Sequence, residues 1–230
     1  MPILEARQLC KTYSTRGVET PALVGLDLEI DEREFTALAG PSGSGKTTLL
    51  NLFGALDEPT SGEVRLDGER LADLSPRELS ELRLRKLGFI FQAYNLIPVL
   101  TARENVEFVM ELQGVPAADR RSRADELLAE VEIAELADKR PLEMSGGQQQ
   151  RIAVARAIAS RPRVVLADEP TANLDSKTAG KLLDLMARLN SERGVTFLFS
   201  THDPLVIDRA TRKVRLVDGR IAGDQRSGTG

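Results

Sequence analysis

The chain has 230 residues, 41% hydrophobic and 29% charged, enough for a packed core beneath a wetted surface, which excludes a disordered chain. A formal charge of -4 argues against binding nucleic acid through bulk positive charge. No apolar run approaches the roughly 18 residues of a membrane-spanning helix, Met1-Pro2-Ile3-Leu4-Glu5 lacks a secretory-signal pattern, and the lone Cys10 excludes an internal disulfide and fits a reducing, cytoplasmic compartment.

Ile3 to Tyr13 and Ala22 to Ile30 carry the alternating pattern of half-buried strands, with Leu26, Leu28 and Ile30 on one face. Ser14 to Pro21 between them reads as a hairpin loop. Phe35 to Ala39 is a short apolar strand that runs into a glycine-rich turn, and Lys46 to Ala55 reads as a helix. Asp67-Gly68 and Asp218-Gly219 are hairpin turns. Ser75-Pro76-Arg77-Glu78 and Thr101-Ala102-Arg103-Glu104 have the capping-box pattern of helix starts. Further helices are expected over Ala118 to Glu132, Gly147 to Ser160 and Ser176 to about Glu192. They alternate with strands at Val164 to Ala167 and Val195 to Ser200, the order of a parallel sheet with covered faces. The expectation is one α/β domain whose helical middle, about residues 93–160, forms a lobe, with a flexible tail over 224–230.

The turn Gly40-Pro41-Ser42-Gly43-Ser44-Gly45-Lys46-Thr47 fits GxxxxGK[ST], with a strand before it and a helix after it. Its glycines let backbone N–H groups wrap phosphate oxygens, and the helix start adds free donors and a positive dipole end. Lys46 reaches the β- and γ-phosphates, and the Thr47 hydroxyl is a ligand for Mg²⁺. The strand Val164-Val165-Leu166-Ala167 ends in Asp168 and Glu169, at the carboxyl end where open α/β sheets bind ligands. Asp168 is placed to hold Mg²⁺ and Glu169 to polarise an attacking water, which favours hydrolysis over transfer to a second substrate. Ser145-Gly146-Gly147-Gln148 starts a second glycine-bearing helix and so offers another anion site. Two such sites for one triphosphate suggest that the second faces the nucleotide of another copy.

Taken together, these motifs resemble those of the ATP-binding subunits of ABC transporters. Gly40 to Thr47 resembles the Walker A loop, Val164 to Asp168 the Walker B strand, and Ser145 to Gln148 the signature motif, where Met144 replaces the usual leucine. Gln92 resembles the Q-loop glutamine, Asn173-Leu174-Asp175 the D-loop, and His202 the switch histidine. Tyr13 stands where the family stacks an aromatic ring on adenine. The resemblance implies a P-loop NTPase core of RecA type, with an antiparallel β subdomain and an α-helical signature subdomain. It implies ATP and Mg²⁺ as cofactors and an ATP-dependent homodimer that clasps two nucleotides. In that dimer Glu169, His202 and Lys46 are catalytic. Tyr13, Gly40 to Thr48, Gln92, Ser145 to Gln148 and Asp175 contact ATP, and Thr47, Gln92 and Asp168 serve the metal. The expected partner is a separate transmembrane permease, which would put the chain on the inner face of the cell membrane. Tyr94 to Thr101 and Pro170 to Thr178 are similar to the subgroup for lipoprotein release and macrolide export. A soluble ABC ATPase acting on a protein assembly, such as iron–sulfur cluster biogenesis, is the competing reading.

Overall fold

The structure, a computed structural model, describes residues 2–15 and 17–226. Strands β1 (Pro2–Thr15) and β2 (Val18–Asp31) form a long antiparallel hairpin. Their ladder continues through Tyr13↔Thr20 to Thr15↔Val18, so the strands extend into the segment Ser14 to Pro21 expected to be a loop. The far end of this hairpin is exposed, so no apolar alternation marks it; backbone pairing alone extends the strands.

From β3 (Phe35–Ala39) the chain passes through the glycine-rich turn into α1 (Lys46–Phe53). Strands β4 (Ser61–Leu66) and β5 (Glu69–Arg70) add to the hairpin, giving a four-stranded antiparallel sheet in the order β2-β1-β4-β5. Asp67 and Gly68 both have positive φ, 53° and 78°, the type I′ geometry that their dipeptide announces. Both expected capping boxes form, at Ser75 on α2 (Pro76–Lys86) and at Thr101 on α3 (Ala102–Leu112). Between those helices lies β6 (Leu87–Ile90); after them come α4 (Ala117–Glu130) and α5 (Gly146–Ala159). The chain then alternates through β7 (Val164–Asp168), α6 (Ser176–Arg193), β8 (Thr196–Thr201), α7 (Pro204–Arg209), β9 (Arg212–Val217) and β10 (Arg220–Arg226).

The second sheet has six strands in the order β10-β9-β3-β8-β7-β6, all parallel except β10. Its side chains alternate between two cores. Leu38, Val164, Leu166 and Leu198 face α1 and the antiparallel sheet, while Phe35, Val165, Ala167, Phe197 and Phe199 face the helices. Both faces being covered, these strands read as unbroken apolar runs rather than as alternation.

The tail is corrected in part. Residues 224–226 belong to β10, because Asp224 pairs with the buried Arg212 at 2.7 Å and the ladder runs to Arg226↔Arg212. The remaining residues of the expected flexible tail, 227–230, lie outside the described residues. Arg120 and Arg123 on α4 are mostly covered; burial pushes the Arg123 guanidinium down.

Candidate nucleotide-binding site

The motif residues of the site follow the ends of β3, β6, β7 and β8 and lead into α1. Beyond β3, Gly43 and Gly45 take φ of 78° and 101°, which L side chains resist. Gly40 runs so close to β9 that an added Cβ would overlap the Leu216 carbonyl. Gly45 precedes α1 without side-chain capping, so the first N–H groups of that helix stay available to an anion. Lys46 is buried and donates from Nζ to the Gly40 and Pro41 carbonyls at 2.8 and 2.9 Å. Ser44 is buried within the loop, and its hydroxyl has no partner among the described residues.

Above this loop opens a cavity of about 530 Å³. Pro41, Ser42, Gly43, Gly45, Lys46, Thr47 and Thr48 line it from the loop and α1. Gln92, Glu169 and His202 line it from the ends of β6, β7 and β8. Ala22 and Ala172 complete the wall; neither carries a polar group that sequence reading could have singled out. The Thr47 hydroxyl donates to Asp168 at 3.1 Å. This pair offers two hard oxygens, a donor set suited to Mg²⁺ when phosphate and water complete its shell.

Because Asp168 pairs with Ser200 in the β7–β8 register, the next residues of both strands meet over the cavity. Glu169 adopts a left-handed φ of 45°, and its N–H donates to the Ser200 carbonyl at 2.9 Å. One carboxylate oxygen of Glu169 accepts from the Thr201 hydroxyl at 3.1 Å; the other lies 2.6 Å from His202 Nδ1. A carboxylate fixed on both oxygens beside a phosphate-wrapping loop can orient a water for in-line attack.

A second group lies away from the cavity. Ser145 caps α5, its hydroxyl accepting from the Gln148 N–H while the Gln148 side chain accepts from the Ser145 N–H at 2.9 Å. Cβ atoms added at Gly146 and Gly147 would stand only 2.6 Å from the Tyr94 hydroxyl and 2.5 Å from Thr178 Cγ2. Asp175 caps α6, and the Thr178 hydroxyl with nearby N–H groups holds its carboxyl below the usual carboxylate range. Ser145 to Gln148 and Asp175 therefore neighbour each other through Thr178, but none of them lines the cavity. Nor does Tyr13, which is 40% exposed rather than part of the core. Its hydroxyl donates to Asp57 at 2.9 Å, and Lys11 Nζ stands 4.9 Å from the ring centroid. Lys11 and Asp57 carry no motif, so only the structure shows that they support the ring.

The family model for ABC transporters matches residues 23–172. The lipoprotein-releasing system ATP-binding protein LolD of Anaeromyxobacter dehalogenans is 47% identical, over 97% of this chain and 94% of LolD. The macrolide export ATP-binding/permease protein MacB of Syntrophobacter fumaroxidans is 46% identical over 96% of this chain, which spans only 31% of that protein. Among solved structures, the dimeric ATP-binding cassette MJ0796 in a post-hydrolysis state with ADP and Pi superposes with a TM-score of 0.90. It is 42% identical and covers 99% of this chain and 100% of its own.

Proposed function

The chain belongs to the ABC transporter family as an ATP-binding and ATP-hydrolysing subunit, and from that premise we propose how its residues divide the work and what the work serves. Gly40 to Thr48 wrap the phosphates of ATP, with Lys46 leaving the loop carbonyls for the β- and γ-phosphate oxygens. Thr47 and Asp168, with Gln92 nearby, hold Mg²⁺, which when bound offsets charge on those oxygens. Glu169 orients the attacking water. His202 and Lys46 stabilise charge that develops around the γ-phosphoryl group. Tyr13 stacks on adenine. Ser145 to Gln148 and Asp175, set apart from this chain's own cavity, face the nucleotide of a second copy. A ligand held between two helix N-termini fastens the copies, and loss of the γ-phosphate loosens them, a switch by differential affinity. The dimeric, ADP- and Pi-bound relative supports that arrangement.

The helical segment 93–160 is then an arm that carries the nucleotide state outward. Among the described residues no helix is long and apolar enough to cross a membrane. We place the chain at the inner face of the cell membrane, on a transmembrane permease of the lipoprotein-releasing or macrolide-exporting kind. The relatives favour this over a soluble assembly factor.

The observation that carries the reading is the Glu169 carboxylate pinned by Thr201 and His202 at the mouth of the phosphate cavity. Its test is ATP turnover combined with size-exclusion chromatography of Glu169→Gln. The variant should bind ATP and elute as a dimer without hydrolysing it. A monomer that hydrolyses ATP at the parent rate would refute the reading. Affinity purification from membranes then identifies the permease; recovery of a soluble scaffold instead would overturn the placement.

A further inference from the structure

Arg156 lies on α5, within the helix that begins at Gly146. Burial pushes its guanidinium below the usual arginine range, and among the described residues no carboxylate offsets that shift. Its donors go to main-chain carbonyls instead: Nη1 to Asn95 at 2.5 Å and Nη2 to Tyr94 at 2.9 Å. Both of those residues are left-handed, with φ of 50° and 52°. That conformation is costly for L side chains and persists only when surrounding contacts impose it. The segment is fastened at two further points. The Asn173 side chain donates to the Gln92 carbonyl at 2.7 Å, and the Tyr94 hydroxyl packs against Gly146 in the first turn of α5.

We propose that Arg156 is a positioning residue, which clamps the left-handed turn at Tyr94–Asn95 so that Gln92 is presented to the phosphate cavity, and which yokes that presentation to the helix bearing Ser145 to Gln148. The proposal rests on the nucleotide-contacting role given to Gln92 above. A planar fork suits two successive carbonyls, whereas an ammonium offers a single point of charge. A neutral apolar side chain would cover the neighbouring helix surface without desolvating a cation, so packing alone does not call for arginine here. The arrangement makes any shift of Gln92 toward a bound nucleotide pull on α5 through a rigid link.

The test uses the full chain and four variants: Arg156→Met, Arg156→Lys, Gln92→Ala, and Gln92→Ala combined with Arg156→Met. Methionine keeps much of the apolar stem and removes the donors. Arg156→Met should lower kcat for ATP hydrolysis about ten- to a hundredfold, as misplacement of a site group does. The affinity for ATP should stay within about threefold and unfolding should remain cooperative, with Arg156→Lys intermediate in kcat. Added to Gln92→Ala, Arg156→Met should change kcat by less than about twofold, because groups acting in one chain of contacts do not add. Effects that multiply overturn the proposal while leaving the role of Gln92 intact. A Gln92→Ala variant that hydrolyses ATP at the parent rate overturns the role of Gln92 and the proposal with it. If Arg156→Met does not fold, Arg156→Lys combined with Gln92→Ala decides, and a lysine variant with the parent kcat overturns the clamp.

Discussion

His202 Nδ1 lies 2.6 Å from Glu169 Oε1, and the two side chains differ sharply in exposure, 72% against 15%. The carboxylate is the fixed member, held at its other oxygen by Thr201; the imidazole reaches it from solvent. Such a pair can part when a triphosphate enters, with the histidine moving and the carboxylate staying aimed into the cavity. Glu169→Gln keeps the shape and removes the basic oxygen. Turnover should fall by about 10²- to 10⁴-fold, the usual contribution of a positioned acid or base. ATP affinity should change little, and static light scattering with ATP should show a long-lived dimer. Parent-rate hydrolysis would remove Glu169 from the mechanism.

Lys46→Ala acts on binding rather than on folding. Lys46 Nζ donates to the Gly40 and Pro41 carbonyls, partners that a bound nucleotide would displace. A charged hydrogen bond contributes about 1.5–3 kcal/mol, so calorimetry should find ATP bound about ten- to a hundredfold more weakly. Unchanged affinity would rule the phosphate role out.

Much of the fold and of the phosphate loop was legible in the sequence because the signals are local. Asp67-Gly68 and Asp218-Gly219 demand positive φ at both positions and have it. Ser75, Thr101 and Ser145 each meet a Glu or Gln three residues on, and all three boxes close. Non-local features were not legible. The exposed ends of β1 and β2 pair through backbone alone, and Asp224 is tied down by Arg212, twelve residues earlier in the chain. The short helix α7, capped by Asp203, was missed because one and a half turns leave no periodicity to read. In the site, motifs mark Gln92 and Glu169, whereas Arg156 meets the Tyr94 carbonyl and Asp57 the Tyr13 hydroxyl through folds of the chain that no spacing rule encodes.

Two glycines of the phosphate loop should respond differently to alanine. At Gly40 the new Cβ would overlap the Leu216 carbonyl, and backbone cannot swing aside as a side chain can. Gly40→Ala should cost about 1–3 kcal/mol, as overpacking does. At Gly43 nothing lies within 4 Å, so only φ +78° opposes the substitution. Gly43→Ala should cost about 1 kcal/mol. Urea titrations measure both; equal losses would show that space at Gly40 is not the limiting factor.

Tyr13→Ala separates stacking from packing. With 40% of the residue exposed, stability should move by no more than about 0.5 kcal/mol. If the ring stacks on adenine, ATP affinity should fall by about 0.5–1.5 kcal/mol, or roughly two- to tenfold, while inorganic triphosphate, which has no base, binds as before. Equal losses for both ligands would place the effect elsewhere.

Acid should weaken the join between β9 and β10 through Asp224. The hydrogen bond from Arg212 holds that carboxyl below the usual carboxylate range, outweighing its partial burial. The unfolded chain therefore takes up this proton at a higher pH than the folded chain does. The pair's contribution is fully present above about pH 4, the ordinary aspartate value, and is lost as pH falls through the lower, folded value. Arg212 is raised further above its already high value by the same partner, so it stays charged throughout. Asp224→Asn should accordingly be less stable than the parent at pH 7, and the gap should narrow when denaturation is repeated near pH 3. A gap of constant size at both values would show that the carboxylate charge contributes nothing and that the strand is held by its backbone ladder.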